Sequence, residues 1–165
     1  MGGRSMINRF NINKNDFLKR DITGYYHQLY TGFRQPGNPD FLNTLKNTFN
    51  SEPHRNLVEA RDKVIEILMD DLPEIIAESS MSNCLFVCVP RAKSLKSYSN
   101  SQLMFKEAIK IAANNIRGAI DGTDCIKRVV NTRTTHLRTA TGIPNDGDEP
   151  YPGITVATCE IDKSR

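Results

Sequence analysis

The stretch "LFVCVPRAKSLKSYSNSQLMFKEAIKIAANNI", Leu85 to Ile116, decides which fold the sequence predicts, because an apolar run, a basic turn and an amphipathic segment follow one another. The apolar run "CLFVCV", residues 84–89, is typical of a strand buried on both faces in a parallel sheet covered by helices. The amphipathic segment predicts a helix, and "CIKRVV", residues 125–130, predicts a second strand. Strand, helix and strand in this order make a βαβ unit with a right-handed crossover.

The helix of this unit has a recognisable beginning, apolar face and end. A serine or asparagine within residues 99–101 can cap its first turn, and Gly118 is placed to stop it. Its predicted buried face has the spacing of an amphipathic helix and contains Phe105, Ile109, Ala112 and Ile116.

The first half of the chain is predicted to be helical. Residues 13–34 carry a loose helical pattern of apolar residues, and Asp40 is placed as the N-cap of a short helix. In residues 55–71 the apolar positions recur at three- and four-residue steps, which predicts a longer amphipathic helix interrupted at Pro73. The expected fold class is therefore α/β, with a helical N-terminal region followed by a small, mostly parallel sheet.

The length of 165 residues fits a single domain that can bury a core. We expect a tag remnant or disordered lead at residues 1–12, the helical region at 13–82 and the α/β region at 83–165. A glycine- and proline-rich loop is expected at 138–155, before a final strand near "ITVATCEI". No run of 18 apolar residues occurs, so no membrane span is expected.

The charge of the chain is clustered rather than large. A formal net charge of +3 does not by itself indicate a nucleic acid or a membrane as partner. Residues 91–96, however, contain three cations and no acid, and residues 127–138 contain four Lys or Arg and no acid. These two basic segments are the places where an anionic ligand is expected.

The four cysteines are interpreted as small core residues in a reducing compartment, which predicts a cytoplasmic location. They are Cys84, Cys88, Cys125 and Cys159. No CxxC pair or His/Cys ligand spacing occurs, so a zinc site is not expected.

The first candidate site is the turn from Pro90 to Ser94, which follows the carboxyl end of the predicted strand 84–89. In open α/β sheets ligands lie outside the carboxyl ends of the strands, where backbone N–H groups and cationic side chains suit phosphate or pyrophosphate. The alternative is a solvated connection between a strand and a helix.

The second candidate is "KRVVNTRTTHL", residues 127–137, where a predicted strand leads cations and hydroxyl groups into the long loop. Arginine forks and threonine hydroxyls match phosphate oxygens, and a loop that closes could exclude water. His136 is a candidate general base, although a lone histidine is more often a surface or packing residue. A nucleic-acid groove is less favoured, because basic and aromatic residues do not alternate here.

Acidic residues give weaker signals. Asp70 and Asp71 are interpreted as part of the solvated face of the helix predicted before Pro73. The loop acids Asp146, Asp148 and Glu149 lack the rest of an EF-hand loop, so turn chemistry is the expected reason for them.

The order of these pieces resembles the ComF-like branch of the type I phosphoribosyltransferases. In that branch a "PVP" strand end leads to an "F-N-Q-x-x-x-L-A" helix and then to an "R-x-x-x-T-x-x-Q-x-x-L" segment. The counterparts in this chain are Val89-Pro90, Asn100-Ser101-Gln102 with the helix after it, and Arg128, Thr132 and Thr135-His136-Leu137. The resemblance covers residues 84–161, and the family's second glutamine has no counterpart.

The resemblance implies a ligand and its contacts. The pyrophosphate-binding loop would be Arg91, Ala92, Lys93 and Ser94. The flexible-loop contacts to phosphate would be Arg128, Thr132, Arg133, Thr134 and Thr135. The ligand would be 5-phosphoribosyl 1-pyrophosphate (PRPP) or pyrophosphate, with Mg²⁺ carried on the pyrophosphate rather than by a protein metal site.

The family also has a strand followed by two acidic residues and a Thr/Gly-rich loop, which the resemblance places after Ile161. Asp70 and Asp71 cannot substitute, because Pro73 follows where the phosphate cradle should begin. Little or no transferase turnover is therefore expected of these 165 residues. The alternatives are a non-catalytic nucleotide- or RNA-binding module that needs a partner chain or a second copy at an open sheet edge, and an α/β protein whose site lies elsewhere.

Overall fold

A computed structural model describes residues 7–29, 31, 35–79, 82–91, 93–128 and 154–156. Within these residues the chain forms three helices, six short strands and two 3₁₀ turns. The strands are β1 Asn8–Ile12, β2 Ile22–Tyr26, β3 Cys84–Phe86, β4 Ala119–Asp121, β5 Ile126–Arg128 and β6 Ile154–Val156. The helices are α1 Asp40–Lys46, α2 His54–Glu78 and α3 Met104–Asn115, and the 3₁₀ turns are Leu95–Ser97 and Asn100–Gln102.

The described part of the chain begins with a β-hairpin where a lead and a helix were predicted. β1 and β2 pair antiparallel, with Asn8 opposite Tyr26 and Ile12 opposite Ile22. The helix prediction for residues 13–34 was wrong because β2 is rich in β-branched and aromatic residues, which favour a pleated strand over a helix. Close packing within the hairpin also requires the glycine at position 24, since a Cβ atom there would lie 2.4 Å from the ring of Phe10.

α1 is short and is followed by a tight turn. Asp40 is its first helical residue, whereas Pro39 occupies the cap position, so the predicted N-cap was wrong by one residue. Asn47 ends the helix in the left-handed conformation at φ 37°, a conformation that asparagine tolerates well. The Asn47 side chain then accepts a hydrogen bond from the backbone N–H of Glu52 at 3.2 Å, which leads the chain towards α2.

α2 is confirmed as the long amphipathic helix, but the break predicted at Pro73 is wrong. The helix continues through Pro73 to Glu78. An interior proline costs a helix about 3 kcal/mol because it removes a hydrogen bond and its ring crowds the preceding turn. Leu72 and Ile76, on either side of Pro73, are buried against α3, and two aliphatic side chains gain about 1.5–3 kcal/mol each on burial. Their packing offsets the defect.

α3 packs on α2 through small residues. Ala108 and Ala112 are both 0% exposed, so the two helix backbones approach closely at these positions. The predicted apolar face is confirmed for Ala112 and Ile116, which are buried, but Phe105, in the first turn of the helix, is 42% exposed. The core of the described residues forms two clusters between the helices. One contains Leu45, Leu57, Ala60, Val64, Met104 and Ala108, and the other contains Leu72, Ile76, Ala112 and Ile116.

β3 and β4 pair parallel, with Cys84 opposite Ala119 and Phe86 opposite Asp121, and α3 connects them. A βαβ arrangement is therefore present, in a mixed α/β fold. Its second strand is β4 rather than the predicted segment 125–130, because the chain pairs as soon as it leaves Gly118, which adopts φ 85°. Segment 126–128 instead forms β5, which pairs antiparallel with β6.

The sequence predicted that β3 is buried on both faces, but the structure shows that one face is partly exposed. Leu85 is 40% exposed, and Val89, beyond the end of the strand, is 90% exposed. Cys84 and Phe86 pack against the helix cluster, and because side chains alternate along a strand, Leu85 faces away from it. In the described residues β3 pairs with β4 in a two-stranded sheet and does not lie inside a larger one.

Cys84 and Cys88 carry free thiols, in line with the reduced state expected for them. Cys125 is disulfide-bonded. The expectation that all four cysteines are reduced is therefore wrong for Cys125. Among the described helices none is long and apolar enough to cross a membrane.

Candidate functional site

A cleft that opens to solvent lies at the carboxyl ends of β3 and β4. It is lined by the residues after β3, by the basic turn, by the first turn of α3 and by the segment from Thr123 to Arg128. Five cationic side chains of the described residues line it, namely Arg91, Lys93, Lys106, Lys127 and Arg128. We call it the basic cleft.

Arg91 is held in place by three contacts. Its Nη1 atom donates a hydrogen bond to the carbonyl oxygen of Gln102 at 2.7 Å. Its guanidinium lies 4.4 Å from the centre of the Tyr98 ring, a stacking arrangement that favours a cation. Its own carbonyl oxygen accepts a hydrogen bond from Nε of Arg128 at 2.7 Å. The two basic segments of the sequence therefore meet at Arg91.

Arg128 is the most buried cation of the cleft, at 8% exposed. Its Nη1 atom is buried and has no hydrogen-bond partner. Within the part of the chain that the structure describes, no carboxylate forms an ion pair with Arg128. Removing a guanidinium from water without a counter-charge costs several kcal/mol, so this position favours an anion that compensates the charge.

The remaining predicted residues of the basic turn differ in position. Lys93 is exposed and lines the cleft, and its backbone N–H donates to the hydroxyl of Tyr98 at 3.1 Å. Ser94 does not line the cleft, and its hydroxyl lies 3.2 Å from that of Ser97. Ala92 lies outside the described residues. The structure thus brings Arg91, Lys93 and Arg128 together and leaves Ser94 apart.

Sequence reasoning missed Lys106, although it sits in the first turn of α3 where the cleft begins. Its ammonium lies 2.7 Å from Asp124, which also lies 3.4 Å from Lys127. The hydrogen bond from Lys106 is the main cause that holds the pKa of Asp124 below its ordinary value. One carboxylate therefore balances part of the positive charge at this end of the cleft.

Gln102 connects the basic cleft to the turn after α1. Its side-chain amide donates to the carbonyl oxygen of Asn47 at 2.9 Å, and its Oε1 accepts from the backbone N–H of Ser99 at 3.3 Å. Because its backbone carbonyl holds Arg91, this residue fixes the guanidinium relative to α3 and α1. A glutamine three residues after a serine is a known helix-start signal, and it could have identified Gln102.

Cys88 lines the basic cleft and is about half buried. Burial is the largest cause that raises the pKa of its thiol to about 11, while the positive charge of Lys106 acts in the opposite direction. The neutral thiol is therefore the dominant form at neutral pH, which disfavours a role as a nucleophile.

Several predicted site residues lie outside the described residues, so the structure does not place them. They are Ala92, Thr132, Arg133, Thr134, Thr135 and His136. The loop acids Asp146, Asp148 and Glu149 also lie outside.

The described residues do not fit a protein-held Mg²⁺. No group of three or more His, Cys, Asp or Glu side chains suited to a metal ion occurs among them. Asp121, at the end of β4, accepts hydrogen bonds from the backbone and the hydroxyl of Thr123 at 2.9 and 2.7 Å. Asp124 forms ion pairs with Lys106 and Lys127.

Asp71 is not on a solvated face, contrary to the sequence interpretation. It is 6% exposed, and its Oδ2 atom lies 2.9 Å from Nδ1 of His27 in the segment after β2. Since a carboxylate only accepts, the Nδ1–H group donates in this contact. The pair joins the N-terminal hairpin to α2, away from the basic cleft.

No protein-family model, curated protein or solved structure matches the chain. The geometry of the basic cleft is therefore the basis for a functional assignment.

Proposed function

We propose that the basic cleft binds a small phosphorylated ligand and that Arg128 and Arg91 contact its phosphoryl oxygens. The observation that carries this proposal is the buried Arg128 guanidinium, whose Nη1 atom has no partner in the described residues. PRPP and pyrophosphate are the ligands that the resemblance to the phosphoribosyltransferases suggests.

The charges around Arg128 favour the same class of ligand. Lys93 and Arg91 add positive charge without an ion-paired carboxylate in the described part of the chain. A guanidinium fork matches two phosphoryl oxygens at once, and an ion inside a cleft is screened less than one on an open surface. The first turn of α3 also lines the cleft, and a helix N-terminus carries partial positive charge.

The described residues support binding rather than turnover. Among them, no carboxylate or histidine side chain lines the basic cleft, so none is placed there as a general base. Mg²⁺ would enter with the pyrophosphate group of the ligand. We therefore propose a phosphoribosyltransferase-like binding protein with little or no transferase activity in these 165 residues. The free thiols of Cys84 and Cys88 favour the proposed cytoplasmic location, whereas the disulfide of Cys125 does not.

Isothermal titration of the 165-residue protein with pyrophosphate and with PRPP tests the proposal. We expect saturable binding that Arg128→Gln weakens about 10- to 100-fold, since a hydrogen bond to a charged group contributes about 1.5–3 kcal/mol. Arg117→Gln is the matched control, because it removes the same charge at an exposed position beyond the other end of α3. Equal affinity of both variants would contradict the proposal.

Two further measurements separate competing outcomes. Lys93→Gln changes an exposed side chain, so we expect the variant to fold like the wild type. It should weaken pyrophosphate binding about two- to fivefold. Binding of a polynucleotide that falls steeply with salt, with no effect of pyrophosphate, would instead support the nucleic-acid module. Robust consumption of PRPP would contradict the expectation of little turnover.

A further inference from the structure

The basic cleft is also lined by apolar side chains, and some of them remain largely exposed. They are Val89, Leu95, Leu103, Phe105 and Ile126. Phe105 is 42% exposed and Val89 is 90% exposed, although both are large apolar residues. Phe105 lies in the first turn of α3, and neither core cluster of the described residues contains it, so core packing does not account for this ring.

These residues lie in the same cleft as the cations, which restricts the kind of molecule that complements it. Pyrophosphate and sugar phosphates are polar throughout, so they would neutralise the cations and leave the apolar lining in contact with water. An organic group that covers this lining adds a hydrophobic contribution in proportion to the apolar area removed from water. Ligand sites commonly combine such a lining with a few polar groups that fix orientation.

We propose that the ligand of the basic cleft is a phosphate monoester whose organic group is apolar. This inference rests on the proposed function, because it assumes that Arg128 and Arg91 hold the phosphoryl group. The organic group then contacts Phe105 and its apolar neighbours. A small ester of this kind matches both the charge and the apolar lining of the cleft.

The test compares two probes with the same charged group, methyl phosphate and phenyl phosphate, by isothermal titration. We expect phenyl phosphate to bind about tenfold more tightly, because its ring covers apolar lining that the methyl group leaves exposed. Phe105→Ala should remove most of this preference while leaving the affinity for methyl phosphate within about twofold. Phe49→Ala is the matched control, since Phe49 is 89% exposed and does not line the cleft. Leu95→Ala serves as a second variant of the lining.

The outcomes separate this inference from the proposed function. If both esters bind equally and Arg128→Gln weakens both, the phosphate site stands and the inference is overturned. If Arg128→Gln changes neither affinity, the proposed function itself fails. A phenyl preference that both Phe105→Ala and Leu95→Ala leave intact would also overturn the inference.

Discussion

Nε of Arg128 donates a hydrogen bond to the carbonyl oxygen of Arg91 at 2.7 Å, across 37 residues of sequence. This contact joins β5 to the turn after β3 and brings two basic segments to one cleft. Because the contact uses only Nε of Arg128 and the backbone of Arg91, the Nη1 atom of Arg128 is left without a partner in the described residues. The proposed phosphate site depends on this arrangement.

Asp124→Asn should tighten pyrophosphate binding about two- to fivefold at low ionic strength, because it removes a negative charge close to Lys106 and Lys127. The lowered pKa of Asp124 means that the wild-type carboxylate is charged at neutral pH, so the full effect should appear there. Titration calorimetry measures it, with Asp62→Asn as a control on α2. Weaker binding of Asp124→Asn would contradict this account of the cleft electrostatics.

Cys88 should react slowly with iodoacetamide, because burial raises the pKa of its thiol to about 11 and keeps the thiolate scarce. The rate, followed by mass spectrometry, should rise about tenfold per pH unit up to pH ~10, whereas the rate of an ordinary thiol levels off near its pKa of 9.0. Because the folded protein favours the neutral thiol of Cys88, this group stabilises the fold at pH values below the ordinary thiol pKa of 9.0. The stabilisation is lost as the pH rises towards the raised pKa of about 11. A rate that levels off near pH ~9 would show that Cys88 is not shielded as described.

His27→Ala should lower the free energy of unfolding by about 1–3 kcal/mol, because it leaves the buried Asp71 carboxylate without its partner. Urea denaturation gives this value. His54→Ala is the control, since His54 is exposed at the start of α2, and it should change stability by less than about 0.5 kcal/mol. Equal effects of the two substitutions would mean that the His27 contact does not stabilise the hairpin on α2.

Ala112→Leu should destabilise the protein by about 1–3 kcal/mol, because Ala112 is 0% exposed between α2 and α3 and leaves no room for a larger side chain. Thermal or urea unfolding measures the loss. Ala77→Leu on the exposed side of α2 is the control and should be nearly neutral. A neutral Ala112→Leu would argue against close packing of the two helices.

The helices α2 and α3 could be predicted from the sequence because apolar residues recur at helical spacing over most of their length. The exact buried face of α3 could not, since small residues such as Ala108 carry little hydrophobic signal and yet permit the closest packing. The N-terminal hairpin was missed because the apolar residues of segment 13–34 also fit a loose helical period, while β1 lies before that segment. β4 has only three residues, too few for a pattern of its own.

The candidate site was predicted in part. The position of Arg91 and Lys93 after a strand indicated an anion site, and both line the basic cleft. The meeting of Arg91 with Arg128 depends on the turn after β4, which a sequence pattern does not specify. Asp71 was misassigned for a similar reason, because its partner His27 lies 44 residues away in the chain.

The central claim is that the Arg128 guanidinium contacts a phosphate group. The most direct test follows the side-chain Nε–Hε resonance of Arg128 by NMR during a pyrophosphate titration. The resonance is assigned by its absence from the spectrum of Arg128→Gln. The account predicts a saturable shift of this resonance at the dissociation constant found by calorimetry, with the Arg117 resonance unmoved. An unmoved Arg128 resonance at saturating pyrophosphate would contradict it.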